Sequence, residues 1–222
     1  MDNTKVRQVS SLCLLIAFCF FTIEVHGASI SLADREEKLL SQGDIVVREL
    51  DSDKREGKTF EVLGRISASR ATLLQVLTNY ESYPEFMPNV SRIEVVEHRG
   101  HESILNYTLA LPLGKIKKYR LKISVTEPES QQSSVGWQLQ GWPELKTEET
   151  IKDTNGYWLI EEKGLNSSLV LYHVYTDPGP IPFGLGWIVD HLSKDSVPET
   201  FLRTKSRAEK SAYAKTPETD RI

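Results

Sequence analysis

The sequence predicts an α+β domain, and three observations predict it. Two β-like runs precede a single helical stretch, a long series of runs with period-two alternation follows, and helical spacing returns only at the end of the chain. With 222 residues and a hydrophobic share of 39%, the chain can bury one good-sized core, since domains commonly hold roughly 100–200 residues. Net charge is −4, from 27 basic and 31 acidic residues, so no global field draws the protein to nucleic acid.

The N-terminus reads as an export signal. Lys5 and Arg7 precede an uninterrupted run from Leu12 to Ile23, and Val25-His26-Gly27 then leads to Ala28, the charged, apolar and small-residue order of a secretory signal. An uncleaved anchor is the alternative, but the run is shorter than the ~20 residues that a spanning helix needs, and Glu24 closes it. Residues 1–27 are therefore expected to be removed and the product to be periplasmic or secreted. Cys13 and Cys19 would leave with the signal, so the mature chain has no thiol for disulfides, nucleophilic catalysis or metal binding.

Residues 28–42 form a helical extension. In "ISLADREEKLLSQGD", Ser31 stands three residues before Asp34, Leu32, Leu39 and Leu40 are apolar, and Gly43 follows, the pattern of a short capped helix on the domain's flank. "DIVVREL" and "KTFEVLGRIS" make a hairpin around the charged turn "DSDKREG". "SASRATLLQVLTNY" then switches to helical spacing at Leu73, Val76, Leu77 and Tyr80. Pro84 and Pro88 are expected to end it in a loop, because each lacks an amide proton and disfavours helix in the residue before it.

Seven strand-like runs follow: "RIEVVEH", "ESILNYTLAL", "KYRLKISVTE", "SSVGWQLQ", "KTEETIKD", "GYWLIEE" and "SLVLYHVYTD". Turn residues in "RGHE", "EPESQQ", "DTNG" and "LNSS" join them as antiparallel neighbours. In the second run Leu105, Tyr107, Leu109 and Leu111 share one face. In the third, Tyr119, Leu121, Ile123 and Val125 alternate with Lys118, Arg120, Lys122 and Ser124. After "DPGPIPFG" the chain returns to helix: Trp187, Ile188 and Leu192 fit one apolar stripe, Val197, Phe201 and Ala208 a second, with a kink or break expected at Pro198. Residues 215–222 read as a disordered tail.

Three stretches resemble the START-like, polyketide cyclase and coenzyme Q-binding helix-grip superfamily: "LLQVLTNYESYPEFMPNVSRIEVVE", then "GWQL" with "GYWLIEEKGLNSSLVLYHVYTDPG", and "DSVPETFLRTKSRAE". The resemblance covers about Gly43 to Ala214, and the domain is taken as residues 43–214. It implies a curved antiparallel sheet wrapped around a long C-terminal helix, with an apolar cavity between them roofed by the loop around Tyr83 to Pro88. It does not name a ligand, because such a fold hosts carriers, cyclases and aromatases alike.

Candidate site residues follow from that expectation. Tyr83, Phe86 and Met87 fit the mouth of a cavity, or alternatively a plug at the end of the sheet. Tyr107, Leu109, Tyr119, Leu121, Trp137, Trp158 and Tyr172 sit in strand patterns and could line the cavity, or simply pack the core. Phe183 and Trp187 in "GPIPFGLGW" could form a second gate, or a stiff connection into the last helix. Lys115, Lys117, Lys118, Arg120 and Lys122 crowd one edge, an ordinary solvated face or a transient contact with anionic membrane headgroups.

His173 is the one residue with a plausible acid–base role, as an imidazole facing the cavity. No serine elbow, nucleotide loop or third ligand beside His98 and His101 accompanies it, so no catalytic residue, metal or cofactor is assigned. Sequons occur at Asn89, Asn106 and Asn166. The leading function is an exported carrier of a hydrophobic small molecule, lipid, quinone or polyketide-like. The alternatives are a cyclase or aromatase that uses His173 or a tyrosine, and an envelope adaptor that docks through Phe183 to Trp187.

Overall fold

The computed structural model describes residues 30–52, 56–127, 132–179 and 194–215. The expected signal at residues 1–27, Phe183, Trp187 and the tail 216–222 lie outside them. Eight strands form one antiparallel curved sheet: β1 Val46–Leu50, β2 Lys58–Ile66, β3 Val90–Arg99, β4 Glu102–Leu111, β5 Lys115–Thr126, β6 Gln132–Gln140, β7 Asp153–Gly164 and β8 Ser167–Asp177. Their order is β1-β2-β8-β7-β6-β5-β4-β3, so β3 to β8 are consecutive hairpins and β8 returns to pair with β2. Among the described residues four α-helices accompany the sheet: α1 Asp34–Ser41, α2 Arg70–Thr78, α3 Tyr83–Phe86 and α4 Ser196–Lys215. This is the START-like helix-grip fold that the sequence resemblance implies.

Three local expectations change. "KTEETIKD" is no strand: Thr147–Glu149 is a single 3-10 turn in which Glu149 Oε2 accepts from Lys146 N at 2.9 Å, and a run whose only apolar residue is Ile151 has no face to bury. Pro84 does not forbid helix, because it falls in the first turn of α3, where no amide proton is needed, and Tyr83 before it is helical at φ −56°, ψ −40°. Pro198 falls in the first turn of α4, directly after the π-helical residues Lys194 and Asp195, and the Trp187, Ile188 and Leu192 stripe that the expected kink or break would separate from it lies outside the described residues. The cap of α1 is Ala33 and not Ser31; Glu36 Oε2 accepts from the Ala33 amide at 2.9 Å.

Alternation along each strand separates two apolar layers. The inner layer joins Phe60, Val62, Leu105, Ile160 and Val170 to Leu73 and Leu77 of α2 and to Phe201 and Ala208 of α4. The outer layer is smaller: Leu40 of α1 covers Val46, Leu63, Leu169 and Leu171. Ion pairs pin α1 there, with Arg48 on Glu36 at 2.5 Å and Arg65 on Glu37 at 2.5 Å.

The sheet grips α4 through one missing side chain. A Cβ on Gly64 would lie 2.5 Å from the Phe201 ring, so glycine lets that ring press onto the backbone of β2. The other side of the ring meets Trp158 at 5.9 Å. Lys205 Nζ donates to Arg65 O at 2.6 Å, and Glu209 Oε1 accepts from Ser67 N at 3.0 Å, tying the helix to the end of β2.

Candidate functional site

Between the concave sheet and the start of α4 lies a cavity of about 510 Å³, in the range that encloses a drug-sized ligand. Its inner wall is aromatic and aliphatic: Tyr107, Tyr119, Leu121, Trp137, Trp158 and Tyr172. Tyr107 and Tyr119 stack at 5.1 Å, and Trp158 and Tyr172 at 4.2 Å, which fixes the ring planes that face the space. Trp137 has room because its partner across the ladder is Gly156, where a Cβ would meet the indole at 2.4 Å.

The roof comes from the segment after α2. Ser69 caps α2, its Oγ accepting from Thr72 N at 3.2 Å. Tyr83 donates to Leu77 O at 2.6 Å, which folds α3 back under α2 and holds the ring of Tyr83 and the side chain of Met87 over the cavity. Asn89, in the left-handed region at φ 61°, donates from Nδ2 to Ser196 Oγ at 3.1 Å and joins the roof to the first residue of α4.

Nine of the expected residues line the space: Tyr83, Met87, Tyr107, Leu109, Tyr119, Leu121, Trp137, Trp158 and Tyr172. Phe86 does not; it packs edge-on to Tyr83 and lies under the Arg207 guanidinium at 5.8 Å, docking α3 on α4. His173 does not either. It points to the convex face, stacks on Tyr157 at 4.9 Å and lies 3.2 Å from Glu61 Oε1, because its neighbour Tyr172 takes the inner position and side chains alternate along a strand. The imidazole expected in the cavity is therefore absent from it.

Sequence reasoning missed the mouth. Lys115 and Lys117 belong with Tyr119 and Leu121 on the inner parity of β5, while Lys118, Arg120 and Lys122 face outward. Together with Lys58 and Glu148 they surround the opening, and Thr154, Thr176 and Thr200 complete it. Lys117 Nζ donates to Thr150 O at 2.6 Å, and burial pulls its pKa below the ordinary lysine value, with Glu148 opposing. Counting by two backwards from Tyr119 would have placed both lysines inside.

No group of three His, Cys, Asp or Glu side chains among the described residues could hold a metal ion. No described helix is long and apolar enough to cross a membrane. Of the sequons, Asn106 is buried and accepts from Arg120 Nε at 2.9 Å, whereas Asn166 is exposed in the β7–β8 turn.

A curved antiparallel sheet gripping a C-terminal helix, with an aromatic cavity between them, defines the class of helix-grip proteins. Residues 66–184, more than half of the chain, match the model of the family described as polyketide cyclase / dehydrase and lipid transport, and the chain belongs to that family. Membership supports a hydrophobic ligand-binding function.

Solved structures agree on the fold. The STAR-related lipid transfer protein of Xanthomonas axonopodis is similar at TM-score 0.64 and 16% identity, covering 74% of this chain and 93% of its own. Human STARD10 is similar at 0.64 and 15%, covering 89% and 88%. The Zhui aromatase/cyclase of Streptomyces sp. R1128 is similar at 0.54 and 11%, covering 78% and 98%. No curated protein matches the chain.

Proposed function

We propose that the protein is an exported carrier that takes an apolar small molecule, of lipid or quinone type, into the cavity between sheet and α4 and shields it from water. The observation that carries this reading is the cavity itself, about 510 Å³ with an aromatic inner wall and a polar, lysine-bearing mouth. Delipidated protein, challenged with a fatty acid, a phospholipid and a quinone in a fluorescence-displacement panel, should bind at least one of them. Displacement by none of them removes the reading.

A cyclase would need an acid or base inside the cavity, and His173 is on the wrong face for that part. The tyrosines remain, but burial pushes the phenols of Tyr107, Tyr119 and Tyr172 well above their ordinary pKa of 10, so they stay protonated near neutral pH. The adaptor reading rests on Phe183 and Trp187, outside the described residues.

Two further parts of the proposal have separate supports. Export rests on the residue order of positions 1–28, and the intact mass of the secreted chain should start at Ala28. Transient membrane contact is supported by the β4–β5 turn, where Leu113 and Ile116 are 71% and 59% exposed beside Lys115 and Lys118 at the rim of the cavity. Replacing Leu113, which does not line the cavity, by Ser should slow ligand transfer from anionic vesicles without weakening binding of a dissolved ligand.

A further inference from the structure

On the other side of the β6–β7 connection from the cavity lies a recess of about 750 Å³, and the two spaces share a boundary. Within residues 147–151 the lining divides: Glu148 lines the cavity, Thr147 and Thr150 line the recess, and Ile151 lines both. Lys58, Thr176 and Pro178 also line both spaces. Lys58 and Thr176 are opposite one another in the β2–β8 ladder and form a continuous floor, and Pro178 directly follows β8. The part of the boundary that stands apart from the strands is the strip that carries Ile151.

That strip is lightly held. Residues 141–152 join no ladder, and their internal backbone bonds are short-range, Leu145 N to Trp142 O at 3.0 Å and Glu149 N to Lys146 O at 3.0 Å. Both ends are pinned. At the start the Arg120 guanidinium lies 4.9 Å over the Trp142 ring. At the end Lys152 N donates to Asp177 O at 3.0 Å, extending the β7–β8 ladder by one residue, and Lys152 Nζ lies 3.3 Å from Asp177 Oδ2. Between these ends one side chain from the neighbouring strand reaches across, Lys117 Nζ donating to Thr150 O at 2.6 Å. Ile151, 8% exposed, is the one buried residue of the connection. A segment with few backbone bonds to its surroundings and one buried side chain is the kind that opens locally while the rest of the fold stays closed.

We infer that residues 147–151 form a movable wall, fastened by Lys117 and closed by Ile151, whose outward swing joins the recess to the cavity and gives the ligand its way in and out. The motion breaks one hydrogen bond and exposes one isoleucine; no covalent bond changes. What passes through the opening rests on the carrier reading, whereas the motion itself does not.

Both cysteines of the chain lie in the expected signal, so a single introduced thiol reports the motion. Ile151→Cys is labelled with N-ethylmaleimide, alone and combined with Lys117→Met, which removes the fastening and keeps the apolar stem. Val62→Cys, fully buried in the inner layer and lining neither space, is the reference with and without the same change. Lys117→Met should speed labelling of Ile151→Cys roughly tenfold, the worth of one hydrogen bond from a charged group, and leave Val62→Cys unaffected. In stopped flow with anilinonaphthalene sulfonate, Lys117→Met and Ile151→Ala should each raise the association rate as well as the dissociation rate. A lost ligand contact raises dissociation alone, so faster association separates a wall from a residue that merely touches the ligand. Labelling at position 151 that ignores Lys117→Met, or that rises equally at position 62, overturns the movable wall. Unchanged association rates with a bound probe overturn it as the route. Labelling that responds, with no uptake of the probe or of a fatty acid, a phospholipid or a quinone, leaves the motion standing and removes the carrier.

Discussion

On the convex face of β8, His173 lies against Glu61 and flat on Tyr157, whereas one residue earlier Tyr172 lines the cavity and its hydroxyl has no hydrogen-bond partner among the described residues. The same division holds across the sheet. Outside, Arg48 bridges Glu36 and Glu61, and α1 covers the apolar patch beneath it, so polar groups find partners within the chain. Inside, aromatic walls leave space and unpaired phenols. The convex face is finished by the protein itself, whereas on the proposed carrier reading the concave face is completed by a bound guest; that asymmetry is what folding stability alone would not require.

The largest way to break the comparison is to remove what separates cavity from core. Phe201 is fully buried between Gly64 and Trp158, and Phe201→Ala should cost about 3–5 kcal/mol in denaturant unfolding. Next, Leu121→Trp puts bulk into the cavity. Because the space is empty of protein, stability should fall by less than about 1 kcal/mol while uptake of any ligand drops at least tenfold; a filled core would instead lose about 1–3 kcal/mol.

Smaller effects sharpen the convex side. Hydrogen bonds from Arg48 and from the Ala33 amide lower the Glu36 pKa from 4.5 to about 2. A depressed carboxylate stabilises the fold above its unfolded pKa, and that contribution is lost as pH falls from about 4.5 through about 2. The pair is near the surface, so the amount should be below about 1 kcal/mol, and Arg48→Gln should flatten the acid limb of stability against pH in this window. The smallest effect is expected from His173→Gln: ligand affinity should stay unchanged, since the imidazole does not reach the cavity. A clear loss of affinity would mean that the two faces communicate.

The order of elements was legible because it rests on local signals: period two at Tyr119 to Val125, period 3.6 at Leu73 to Tyr80, turn residues between strands. The same signal, followed strictly, forbids Tyr172 and His173 from sharing a face and puts Lys115 and Lys117 inside; both errors came from judging residue type before parity. Other features had no local trace. Gly156 opposite Trp137 and Gly64 under Phe201 depend on strand register and helix docking, and Asn89 meets Ser196 across 107 positions of sequence. Phe86 left the site because α4, far along the chain, brought Arg207 over its ring.

The central claim is that the concave cavity holds a hydrophobic guest, and native mass spectrometry of the protein, purified without detergent from its own compartment, tests it most directly. The account predicts a reproducible added mass that extracts into organic solvent and is missing from the Leu121→Trp variant. A clean unliganded mass that persists after incubation with fatty acids, phospholipids and quinones would contradict it.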